Sequence, residues 1–156
     1  MCNLPLITNF VEKIMTNVNE NSRLNLNILK QYIKDLSYEN PLSFDLIQSQ
    51  QNLNNVSVDM NALFHPYKKD VFGVSLKIVC HLSLEKNNVF HLELDYSGLF
   101  KIMNIEIYNQ DDLTSEAVRL LFPFARSIIA QITLNGGSLP IFLDNIDFGT
   151  LQKSPI

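Results

Sequence analysis

Three histidines, two cysteines and a few adjacent carboxylates are the side chains here with reactive chemistry to offer. His65, His81 and His91 form no HExxH or HxH pair, so the spacing a zinc site needs is missing. Cys2 and Cys80 stand far apart and neither belongs to a CxxC, which argues against a disulfide framework and a thiolate metal site alike. Cys80 also alternates onto the packed side of a strand, where a thiol behaves as a small hydrophobe. Asp111-Asp112, Asp144 and Asp147 could exchange protons, but carboxylates in such places ordinarily cap helices or face water. No GxGxxG, P-loop or GxSxG occurs, and Gly136-Gly137 reads as a helix stop. The residues point away from an enzyme and from any cofactor, and leave binding as the chemistry to look for.

The elements that would position a binding surface are legible from periodicity. Phe72, Val74, Leu76, Ile78, Cys80, Leu82 and Leu84 occupy every second position, as do Phe90, Leu92, Leu94, Tyr96, Gly98, Phe100 and Ile102. A period of two with one apolar side is a half-buried strand, and two such runs across Lys86, Asn87 and Asn88 predict a hairpin. Residues 26–39 read as a long first strand ended by Pro41, residues 42–52 as a crossover, and Val56, Val58 and Met60 as a short second strand before a turn at HPYKKD, His65 to Asp70. Asp111-Asp112 would favour a helix N-terminus, and a long helix is expected from about Thr114 to Asn135, with Pro123 either starting its regular part or kinking it. After the SLP turn, IFLDNIDFGTLQ could supply a short final helix. The expected fold class is α+β, a four-stranded antiparallel sheet followed by a long helix and a short C-terminal helix. Residues 1–25, rich in Asn, read as a flexible or partly helical N-terminal extension, and residues 26–156 as a single domain.

Alternation sorts the strand residues onto two surfaces. Ser75, Lys77, His81, His91, Glu93 and Asp95 lie opposite the apolar set. On the first strand Ile33, Asp35, Ser37 and Glu39 share a side, and if that is the side of Glu93 and Asp95 the outer face carries an acidic patch. The alternative is a plain solvated sheet face. On the helix, Ala125, Ile128, Ile129 and Ile132 form a core-facing stripe, and Arg126 is expected to pair or snorkel.

Bulk properties agree with binding. Hydrophobic residues are 46% and charged ones 18% of 156 residues, an apolar surplus that hints at subunit interfaces or an exposed apolar surface. A net charge of −4 and no Lys/Arg run beyond Lys68-Lys69 exclude the footprint of a nucleic-acid binder. The start, MCNLPLITNFVEKIM, lacks a basic n-region, no apolar run approaches the roughly 20 residues of a membrane span, and a reducing cytoplasm is the expected location.

Three stretches, in order, carry a resemblance. QYIKDLSYENP resembles the first strand of the SecB protein-export chaperones through Lys34, Asp35, Ser37, Tyr38, Glu39 and Pro41. Val71 to Ile102 resembles that family's hairpin, with Glu93 and Gly98-Leu99-Phe100 in matching places. LLFPFARSIIAQIT, the Gly-containing turn, and the LPIF and NIDF segments resemble its helical part. The similarity covers about Asn27 to Leu151.

The resemblance implies a homotetramer, a dimer of dimers, that holds unfolded precursor proteins and passes them to the SecA translocase motor. It maps the SecA-contacting surface onto Asp35, Glu39, His91 and Glu93. Leu92, Leu94 and Tyr96 would pack subunits together, and Tyr38, Phe44, Phe142 and Phe148 are candidates for client-groove lining, each with core packing as its alternative. His91 stands where the family usually has leucine, and the acidic tail that follows the last helix in typical members, a second motor contact, is not carried over. Two other readings remain: a SecB-like chaperone dedicated to one client, such as an antitoxin, and a small-molecule or lipid carrier with a closed cavity.

Overall fold

The computed structural model describes residues 24–41, 56–84, 87–103, 108–137 and 139–144. Among the described residues four strands, β1 (Leu26–Glu39), β2 (Val56–Lys68), β3 (Val71–Leu84) and β4 (Asn87–Ile102), are followed by one helix, α1 (Gln110–Asn135). The sheet order is β1-β4-β3-β2, with every neighbouring pair antiparallel. The β3–β4 hairpin is therefore central, and β1 reaches its place beside β4 across the whole sheet from β2.

The alternation read from β3 and β4 is realised. Phe72, Val74, Leu76, Ile78 and Leu82 are buried against α1, as are Phe90, Leu92, Leu94 and Phe100. Complete burial of a side chain of this size stabilises by about 1.5–3 kcal/mol, so this face supplies much of the fold's driving force. Leu113, Ala117, Leu121, Ala125 and Ile129 bring the matching stripe of α1. At Gly98 the helix comes so near that an added Cβ would stand 2.9 Å from Leu121 Cδ2.

Several expectations are corrected. β2 continues through HPYK to Lys68, leaving only Lys69 and Asp70 as the turn. Pro66 is tolerated because β2 is an edge strand and the register slips between Pro66 and Lys68. Two register shifts in β1, between Ile28 and Lys30 and between Ile33 and Asp35, break its simple alternation. Ile33 consequently pairs with Tyr96 of the packed set while Asp35 pairs with Asp95 of the outer set, so the two do not share a side.

The helix starts earlier than Thr114, because Asn109 Oδ1 accepts from the Asp112 amide at 2.8 Å and caps it, with Asp111 and Asp112 in the first turn. It runs through the exposed Pro123. Its end is set by Gly136, whose amide donates to Ile132 O at 2.9 Å, and by Gly137 at φ 81°. Beyond it, Ile141 N donates to the buried Thr133 Oγ1 at 3.1 Å and ties an irregular segment, residues 139–144, to the helix. The rest of the expected final helix lies outside the described residues, as do residues 1–23 of the expected extension. By length and composition α1 could cross a bilayer, contrary to the reading that no apolar run approaches that length, yet 44% of its most apolar window is buried within the chain.

Candidate functional site

The sheet face turned away from α1 is organised in rows fixed by strand register. Crossing from β1 through β4 and β3 to β2, the rows are Tyr32, Ser97, Ser75, Leu63; then Asp35, Asp95, Lys77, Asn61; then Ser37, Glu93, Val79, Asp59; and last Glu39, His91, His81, Ser57. Neighbours in a row stand roughly 4.5–5.5 Å apart at Cα. Asp35, Glu39, His91 and Glu93 thus occupy adjacent places on one open face, and Asp59 adds a further exposed carboxylate.

Opposed carboxylates at Asp35 and Asp95 would repel. The bulge at Lys34 relieves this, bringing Lys34 Nζ to 3.5 Å from Asp95 Oδ2, while Ser97 Oγ donates to Asp95 Oδ1 at 3.1 Å. In the last row the His81 and His91 rings meet edge-on at 5.7 Å, and His91 Nε2 lies 2.8 Å from Glu93 Oε1. His91, where the sequence departs from its resemblance, therefore sits directly against the acidic residues and clips one of them.

A second arrangement was not anticipated. His65 Nε2 lies 3.1 Å from Ser75 Oγ, Ser75 Oγ 2.8 Å from Ser97 Oγ, and Ser97 continues to Asp95 and Lys34, a polar chain crossing all four strands. Ser75, Ser97 and Asp95 are buried. Their polarity is compatible with burial because each finds a partner in the next strand. The carboxylate only accepts, so Ser97 donates to it, Ser75 to Ser97, and His65 to Ser75. A histidine that donates to the serine cannot take its proton, and the carboxylate orients the far serine instead of the imidazole, the reverse of a nucleophilic triad. Sequence reading placed His65 in a turn, which hid the chain; Ser75 and Ser97 stand opposite each other only once the register is known.

The other candidates divide. Leu92, Leu94 and Tyr96, expected between subunits, are 0%, 2% and 6% exposed under α1, so their surface is used inside the chain. Tyr38 is half-buried, its ring 6.2 Å from Phe90 and closed over by Gly136, where a Cβ would overlap it. Asn40 Nδ2 donates to Gly136 O at 2.8 Å beside it. Phe142 is 66% exposed and stands near the helix end with the exposed Leu134 and Leu139. Phe44 and Phe148 lie outside the described residues. Burial pushes the Cys80 thiol up to about 11, so it is no nucleophile near neutrality. Among the described residues no His, Cys, Asp or Glu group could hold a metal ion.

Comparison with known proteins identifies the family. The family model described as preprotein translocase subunit SecB matches residues 19–155. A protein-export protein SecB from Hyphomonas neptunium is 43% identical over 130 residues, covering 83% of this chain and 77% of the relative. One from Xanthobacter autotrophicus is 40% identical over 133 residues, 85% of each chain. Among solved structures, a SecB-like chaperone of Mycobacterium tuberculosis in complex with an antitoxin peptide superposes with a TM-score of 0.56 at 12% identity, over 78% of this chain and 91% of that one. With the family model spanning most of the sequence and relatives 40–43% identical over more than four fifths of it, the chain belongs to the SecB family.

Proposed function

We propose that this export chaperone, acting in the cytoplasm as a homotetramer, holds unfolded precursor proteins and delivers them to the SecA motor through the outer face of its sheet. The observation that carries the delivery step is the register that sets Asp35, Glu39 and Glu93 side by side on an open face. Exposed carboxylates so grouped attract a basic partner and raise its encounter rate without demanding deep burial. Assembly is supported by the outward side of α1, where Phe124 and Leu134 are exposed at 46% and 58%, an apolar surface that an isolated subunit leaves in water. Client holding is supported by the exposed Leu139 and Phe142 beyond the helix.

The test is Glu93→Lys. Reversal of one exposed charge should weaken SecA binding about fivefold to tenfold, mainly through the association rate, while mass in solution and suppression of precursor aggregation stay as in the parent. Unchanged SecA affinity would remove the acidic face from the mechanism. A stable monomer that leaves aggregation unaltered would overturn the chaperone assembly itself.

A further inference from the structure

The outer sheet face has two electrically different ends. Away from the acidic rows, Lys30, Lys34, Lys68, Lys69 and Lys101 outnumber Asp70 and the buried Asp95, although the whole chain carries −4. Between these lysines lies an open recess of ≈ 270 Å³. Its floor is Gly73, Ser75 and Ser97, small residues of the two central strands, and its walls are Tyr32 and Lys34 on β1 and His65 and Tyr67 on β2. The walls are three strand spacings apart, roughly 14 Å. Each tyrosine carries an ammonium over its ring, Lys30 at 5.3 Å from Tyr32 and Lys68 at 5.2 Å from Tyr67.

The polar chain beneath determines what the floor can accept. Both serine protons are directed along the chain toward Asp95, so Ser75 and Ser97 have no donor left, and each oxygen keeps one lone pair. A carboxylate therefore finds no donor on this floor. The cations stand on the walls. We infer that the recess binds an extended acidic peptide segment laid across the strands over its small-residue floor, with its carboxylates on the lysines of the two walls. At about 3.3 Å per extended residue, carboxylates four positions apart span the roughly 14 Å between walls. The site is distinct from the Asp35–Glu39–Glu93 surface, opposite to it in charge, and takes the opposite kind of partner.

Fluorescence anisotropy with a dye-labelled ten-residue peptide of alternating Glu and Ala, against its Lys/Ala counterpart, tests this on the full-length chain. The acidic peptide should bind, with affinity falling steeply as salt rises, whereas any binding of the basic one should weaken with Glu93→Lys and not with changes in the recess. Two variants act on separate walls: Lys34→Gln on β1, and Tyr67→Ala with Lys68→Gln on β2, the second far from Asp95 and therefore free of any effect on its ion pair. Each should weaken the acidic peptide about twofold to fivefold, and Glu93→Lys should not weaken it. Absence of acidic-peptide binding, or parental affinity in the Tyr67/Lys68 variant with circular dichroism unchanged, would overturn the assignment. None of these results bears on motor docking, which Glu93→Lys reads separately.

Discussion

Gly136→Ala isolates the clamp that joins the end of α1 to β1. The backbone at Gly136 has φ −75°, which alanine adopts without strain, and on chain entropy alone the substitution would stabilise by about 0.4–1 kcal/mol. Against this, the new Cβ would overlap the hydroxyl end of the Tyr38 ring. Tyr38 cannot retreat freely, because it packs on the core beside Phe90 and flanks the Asn40 hydrogen bond to Gly136 O. Overpacking of this kind costs about 1–3 kcal/mol, so the steric term wins and the net loss should be about 1–2 kcal/mol. With a urea slope of about 1–3 kcal/mol/M, the unfolding midpoint should fall by roughly 0.5–1 M at unchanged slope. The double variant with Tyr38→Ala should lose less than the two single changes added together, since removing the ring removes the clash. A midpoint equal to or above the parent's, or strictly additive losses, would refute the clamp and leave Tyr38 free for client contact.

Three further outcomes are expected. Cys80 should resist alkylation at pH 8 in the folded protein and react on unfolding, as mass spectrometry would show. Since its thiol ionises only near 11 when folded against an ordinary 9.0, the unfolded state loses the proton first, and stability should decline between those values by about 2–3 kcal/mol, a decline absent from Cys80→Ala. Thr133→Val removes the hydroxyl that donates to Ile129 O and accepts from Ile141 N, which should cost about 1–3 kcal/mol and accelerate hydrogen exchange at Ile141.

The strands and faces were legible where the rule is local. Alternation over Phe72 to Leu82 requires only that one side of β3 be buried, and it is. What covers that side is not local, which is why Leu92, Leu94 and Tyr96 were assigned between subunits when α1 of the same chain lies over them. A bulge needs no special residue, so the slip between Ile33 and Asp35 left no mark in the sequence, and Ile33 was placed with Asp35. The acidic positions were nonetheless found, because the slip falls before Asp35 and leaves Asp35, Ser37 and Glu39 in phase. His65 was lost to a proline beside it, a residue that marks turns but also suits the outer edge of β2. The serine contact across β3 and β4 depends on register, which periodicity alone does not fix.

The placement of β1 beside β4 has a consequence for synthesis. Leu26 pairs with Ile102 and Glu39 with His91, so among the described residues the first strand to leave the ribosome is hydrogen-bonded to the last one made. Translation at about 5–20 residues per second leaves β1 unpaired for several seconds while the rest of the sheet emerges. During that interval the exposed Leu29, Tyr32 and Ile33 and a full row of backbone donors and acceptors are open to other chains. The newborn chaperone thus passes through a state with the same exposed features as the proteins it serves, and the rate at which β4 closes over β1 sets how long it needs protection itself.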